Sequence, residues 1–341
     1  MRADRGLLVL GALCCAGALG LALVDPRAAL TGWLAAVVGF AAIPAGALCL
    51  QAMMRLVRGA WGEALRLTCE GGAMLAVPAA VSFVPVLLGM TAIYPWMIEP
   101  PHNGFQAAWL APLPFALRTL LWFGVLVGSA RLLRARTSTA AVAAVTLLLW
   151  PVLGSAVATD WLMSLRPHFA SSGFGLQILI LSVTLAYAVL LRLRLRAGRT
   201  PVRPGVLGAL LLTLLLLWAY IQFLPFFILW SPGLPEGAAW YGERSGGWDV
   251  AEVAFGMLGG VPLLMLLFPA IRHSPAWLAR LATAVAAGKL IEFAWFALPG
   301  TGLLGLGAYA LALLGVALLT AALLPAALRR RIAARAPKAA A

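Results

Sequence analysis

Charge is what this sequence has least of. Only 11% of its 341 residues are charged, and Asp and Glu together number 11. A soluble domain usually carries about 25% charged residues, so a chain with so little polar surface could not stay dissolved. With 63% hydrophobic residues and a mean hydropathy of +0.98, the expected solvent for most of it is lipid. Cysteine is scarce as well: Cys14, Cys15, Cys49 and Cys69 form no CxxC, CxxCH or Cys/His ligand spacing. That excludes covalent haem, zinc or an iron–sulfur cluster held by this chain alone, and leaves the cysteines as apolar packing residues. Long polar stretches are missing too. No extramembrane segment is long enough to fold as a domain, so a soluble catalytic or cofactor-carrying module is not expected. The formal net charge of +14 would suggest nucleic acid if the basic residues formed a patch. They are instead dispersed over loops, so no nucleic-acid partner is expected.

What the sequence has in quantity is apolar runs. A helix needs about 20 apolar residues to cross the hydrocarbon core. Segments of that order run over 6–24, 29–53, 72–96, 107–129, 139–161, 173–191, 206–230, 250–271, 282–298 and 303–327. Each is expected to be helical, because lipid offers no partner for backbone N–H and C=O groups. The fold expected is all-α, a single integral membrane domain over 1–341 with about ten crossings. Of the 25 Lys and Arg, 20 fall on one alternating set of connections and termini, 3 (Arg27, Arg166 and Arg244) on the other, and 2 (Arg118 and Lys289) within spans. By the excess of positive charge on the cytoplasmic side, both termini are expected in the cytoplasm of a bacterial cell, with the chain in its inner membrane. MRADR would serve as the n-region of a signal peptide. The apolar stretch after it is longer than most such peptides carry, so the first span is read as retained.

The sparse polar residues gather on the other, outer side. YPWMIEPPHNGF (94–105), DWLMSLRPHFASS (160–172) and SPGLPEGAAWYGERSGGWD (231–249) combine aromatic residues, proline and acids. Aromatic rings at the headgroup level account for part of this. They do not account for Glu99, His102, Asp160, His168 and Glu236 on one side, with Trp240 and Tyr241 beside them. These loops are candidates for a proton exit or a partner interface. Ionisable groups inside spans are costly and are functional candidates by default. They are Arg118 in the fourth span and Lys289 and Glu292 in the ninth, the last two three residues apart and so on one helix face. Glu252 opens the eighth span near the surface; Gln222 and Tyr220 in the seventh are expected to make interhelical hydrogen bonds.

Spans three to five and seven to nine both run as helix, aromatic–proline–acid loop, then two helices. The last helix of each set places an acid before aromatic residues, in TDWLMSL (159–165) and IEFAWFAL (291–298). Two related four-helix bundles are therefore expected, over about 29–161 and 173–298, with flanking helices 6–24 and 303–327.

At these residues a family resemblance emerges. DWLMSLRPHFASSGFG (160–175) and YIQFLPFFILWSPGLPEGAAWY (220–241), followed by Trp248, resemble two segments of the ActF-type membrane subunit of alternative complex III, a bacterial quinol:cytochrome c oxidoreductase. YPW (94–96), Phe115–Arg118 and Glu292–Pro299 fall in the same order. The sequence differs from the family pattern at Gly233, Gly237 and Phe169–Ala170, and in having Glu292 where the family has aspartate. The resemblance implies ten helices in two four-helix bundles, related to polysulfide-reductase membrane subunits. It implies a subunit with no redox cofactor of its own, serving a proton pathway or a quinol site beside other membrane, iron–sulfur and haem c subunits. Asp160, His168, Glu292, Lys289 and Arg118 are then the expected proton-pathway residues. A secondary transporter and a structural membrane scaffold are the other readings of a chain of this kind.

Overall fold

The structure is a computed structural model describing residues 5–57, 59–101, 103–135, 139–166, 169–197, 203–230 and 235–335. The described residues are 86% helical, with no strand among them; the protein is an all-α polytopic membrane protein. The long helices are α1 (Arg5–Gly20), α2 (Pro26–Leu56), α3 (the run Ala60–Leu88), α4 (Pro112–Leu132) and α5 (Ala140–Trp161). They continue as α6 (Phe174–Arg196), α7 (Pro204–Trp230), α8 (Gly247–Leu266), α9 (Pro275–Ala297) and α10 (Gly302–Arg335). Among the described residues nine helices, all but α9, are long and apolar enough to cross a membrane. The exception carries Arg280, Lys289 and Glu292 in its 23 residues. By length it spans about 34 Å, more than the hydrocarbon core of about 30 Å.

Local sequence fixes where these helices start. Proline stands at the first turn of α2, α4 and α9, where its missing N–H would have had no intrahelical partner anyway. Asp25 and Ser274 cap α2 and α9 by accepting the backbone N–H groups of Ala28 and Trp277. The third helix departs most from the apolar run 72–96. It starts at Ala60 and is broken into Ala60–Ala73, Ala76–Ser82 and Val84–Leu88. Pro78 and Pro85 account for the breaks, since a proline ring clashes with the carbonyl four residues back, here Met74 and Val81. The connections before α4 and before α8 hold short helices as well, Gly104–Trp109 and Pro235–Gly242.

Packing sorts the ten helices into the expected groups. In the first bundle α2 packs on α3, α3 on α4, α4 on α5 and α5 back on α2. The second repeats that ring with α6, α7, α8 and α9. The bundles meet chiefly through α2 and α6, with α9 also reaching α2. Burial follows from this: 94% of the apolar window of α2 and 83% of that of α6 is buried, against 22% for α8. The flanking helices pair with each other, α1 along α10, and α10 lies against α2.

Lipid tails are as apolar as leucine, so helices associate in a membrane through close packing of small residues. On α2 a Cβ added to Gly32 would stand 2.4 Å from the Gly305 carbonyl oxygen of α10, and one added to Gly46 would stand 2.5 Å from the Ala186 Cβ of α6. Gly32→Leu is therefore expected to push α10 off α2 and to cost about 1–3 kcal/mol, the usual range for overpacking, as read by equilibrium unfolding in detergent. Gly307→Leu on α10, where an added Cβ meets nothing within 4 Å, should unfold like the parent.

Candidate functional site

Asp160 is the penultimate residue of α5 and is fully buried. Its carboxylate accepts two N–H groups from Arg118 of α4, from Nε to Oδ2 at 2.6 Å and from Nη2 to Oδ1 at 3.0 Å. The Trp109 indole N–H donates to Oδ1 at 2.9 Å. The guanidinium lies 4.1 Å from the centroid of that same indole and donates to the Trp109 carbonyl at 2.7 Å. A forked arginine–carboxylate contact of this kind is stronger and more directional than a neutral hydrogen bond. Around it the Trp161 indole donates to Thr119 Oγ1 and the Trp96 indole to Ser164 Oγ, and Phe83, Phe123 and Tyr94 pack in.

The second bundle holds a counterpart. Glu292 lies on α9 five residues before its end, about 8 Å along the axis. Both it and Lys289 are fully buried. The Lys289 ammonium donates to Oε2 at 2.9 Å. The Trp218 indole of α7 donates to both carboxylate oxygens, at 3.1 and 3.0 Å, and the ammonium sits 3.1 Å from the centroid of its ring. Each bundle thus carries a carboxylate near the end of its fourth helix. In each, the carboxylate is bound by one cation and one indole N–H, and the cation rests on that indole's face. An isolated charge in hydrocarbon is very unfavourable, so both clusters keep their acids in neutral pairs.

The two differ in chemistry. Arginine does not release its proton in proteins, so a proton taken up by the first cluster can only reside on Asp160. Lysine can release one, so the second cluster has two exchangeable groups, Lys289 and Glu292.

A third cation lies at the same face. Arg244, 2% exposed, sits 3.4 Å from the Trp240 ring centroid and 5.1 Å from that of Trp295. It donates to the carbonyls of Trp240 and Phe296. Burial first, then the nearby Arg166 charge, pulls its pKa down to about 9, which leaves it protonated at neutral pH. Burial, then Glu252, pushes the Tyr241 phenol up to about 12, so it stays neutral. Arg166 pairs with Glu243 at 2.5 Å and donates to the Pro299 carbonyl, while Phe169 stacks on Trp240 at 4.5 Å. These contacts tie the connection after α5 and the connection before α8 to the end of α9.

Of the residues singled out in the sequence, Arg118 and Asp160 come together in one cluster, and Lys289 and Glu292 in the other. Trp240 and Tyr241 belong to the aromatic packing around Arg244 rather than to a free surface. Glu99 is exposed and lines a shallow hollow with Arg27, Thr91 and Tyr94. His102, His168 and the side chain of Glu236 lie outside the described residues. Gln222 accepts a hydrogen bond from Gln177, the interhelical contact expected, whereas Tyr220 is 59% exposed. Trp109, Trp218 and Arg244 were not singled out by sequence reasoning. A tryptophan in a membrane span carries no local sign that its N–H reaches an acid.

Breaking a buried pair by removing one partner costs about 3–5 kcal/mol, because the other charge is left uncompensated. Glu292→Leu should therefore destabilise the protein by that order in detergent unfolding. The double variant Lys289→Met/Glu292→Leu, which leaves no charge behind, should recover most of the loss. No protein-family model matches the sequence, and no curated protein matches it.

Proposed function

We propose that this chain is a non-autonomous membrane subunit of a quinol:electron-acceptor oxidoreductase of the alternative complex III kind. In this reading it lies in a bacterial inner membrane with both ends in the cytoplasm, next to subunits that carry iron–sulfur clusters and haem c. Its part is to move protons, or the charge that accompanies them, beside quinol oxidation carried out by those partners. The observation that carries this reading is the pair of buried carboxylates, Asp160 and Glu292. Each is held by a cation and an indole N–H near the same end of its bundle. Buried acids, lysine and histidine are the groups whose proton affinity surroundings can bring into the physiological range. The resemblance of 160–175 and 220–241 to the ActF-type subunit supplies the chemical setting. Quinol or quinone is the one small-molecule ligand this reading includes.

In this scheme Asp160 is the terminal proton carrier of the first bundle, with Arg118 balancing its charge. Glu292 and Lys289 exchange a proton within the second. The transporter reading gains no support from the helix breaks. Among the described residues α3 is broken by proline, while α7, in the matching place of the second bundle, runs continuously through Pro225; a transporter built on repeats would be expected to break both.

Glu292→Gln and Asp160→Asn keep the size and shape of the side chain and one acceptor oxygen, but cannot carry a proton. In the assembled complex each is expected to lower coupled proton release by at least about tenfold, on the scale of losing one positioned proton-transfer group. Haem and iron–sulfur content should be unchanged. Normal quinol oxidation and normal proton release in both variants would rule the relay out and favour a scaffold.

A further inference from the structure

Arg118, Arg166 and Lys289 each rest against an acid. Arg244 makes no ion pair with any described residue. Glu243 is engaged by Arg166. Glu252, in the second turn of α8, is near enough to act on Arg244 through space but is exposed and does not contact it. Neutral groups hold the guanidinium instead: the Trp240 and Phe296 carbonyls accept from its two Nη groups, and the Trp240 ring lies 3.4 Å from its carbon. Its Nε–H is buried and makes no hydrogen bond. The indole N–H of Trp295 is buried and unpartnered in the same way. These two donors belong to one cluster, since the guanidinium carbon lies 5.1 Å from the Trp295 ring centroid. The Tyr241 ring stands 6.0 Å from that of Trp295, and its hydroxyl makes no hydrogen bond among the described residues.

The chemistry of the cluster selects its ligand. Every unpartnered group in it is a donor, and a buried N–H without an acceptor is costly. A buried cation without a counter-charge is costlier still. A water molecule would supply an acceptor, but it would leave the charge of Arg244 uncompensated and bring two hydrogens of its own. An anion meets the donors and the charge together. One acceptor about 3 Å from each of two nitrogens bridges a pair up to about 6 Å apart, which is the scale of this cluster. Arg244 and Trp295 are each only 2% exposed, so a large oxyanion or a partner's side chain would have to unpack the rings to reach them. We infer that Arg244, Trp295 and Tyr241 form a binding site for one small monovalent anion of halide size. Trp295 lies three residues beyond Glu292 on α9, hence on the same helix face about 5 Å further along. The ion gives Arg244 at the end of the second bundle what Asp160 gives Arg118 in the first.

The test is equilibrium binding of radiolabelled chloride to the full chain in phosphatidylcholine nanodiscs, with gluconate holding the ionic strength constant. Saturable binding of about one chloride per chain is expected, displaced by bromide and not by gluconate. Trp295→Phe keeps the ring and removes only the N–H. It is expected to weaken binding at least about tenfold, on the scale of one hydrogen bond to a charged acceptor. Tyr241→Phe, at a half-buried position that tolerates the change, should weaken it as well and serves if the first variant does not fold. Trp150→Phe is the control: its indole donates to the Ala45 carbonyl away from this cluster, and its binding should match the parent. Absence of saturable chloride binding would overturn the site and leave water as the acceptor. Saturable binding that Trp295→Phe and Tyr241→Phe both leave at parental affinity would overturn it too.

Discussion

A charge cannot stand alone in hydrocarbon, and that constraint organises the charged part of this structure. Lys289 and Glu292 are fully buried, as is Asp160, and the Arg118 side chain is partly buried. Each acid meets a cation and an indole donor, and each cation meets the face of the same indole. Satisfying Asp160 brings together α4, the end of the connection between α3 and α4, and the end of α5. Satisfying Glu292 brings α7 to α9. The closing contacts of the two bundles are thus partly electrostatic in an environment where hydrophobicity does not distinguish a neighbouring helix from lipid.

The remaining cohesion comes from shape. Glycine and alanine along α2 let α10 and α6 approach to backbone distance, which makes α2 the shared wall of both bundles. At the acidic face, Arg244 between Trp240 and Trp295 and the Arg166–Glu243 pair close the ends of both bundles together. The helices therefore hold the two carboxylates a short way below a face where Arg166, Glu243 and Arg244 link the described ends of the bundles.

Much of this was legible in the sequence because it is local or periodic. Apolar run length gave the spans, alternation of Arg and Lys ordered the connections, and the three-residue spacing of Lys289 and Glu292 gave their pairing directly. The repeated acid-before-aromatic pattern pointed to two bundles, and the packing rings have that form. Contacts between residues far apart in the chain were not legible. Arg118 and Asp160 are 42 residues apart, and nothing near either names the other. Trp109 and Trp218 read as ordinary aromatic residues, because an indole reveals its hydrogen-bond partner only once the fold is formed. The pairing of α1 with α10, at opposite ends of the sequence, and the early start of α3 at Ala60 were hidden for the same reason.

Whether these carboxylates belong to a quinol-oxidising assembly is decided most directly by what the chain holds on to. The decisive measurement is purification of the tagged chain from its native membranes under mild detergent, followed by a quinol-reduced-minus-oxidised optical spectrum and subunit identification. A respiratory subunit should bring with it stoichiometric haem c and iron–sulfur subunits, with the haem reducible by added quinol. A chain that purifies alone, without redox-active partners, and that moves a solute when reconstituted by itself would contradict the assignment.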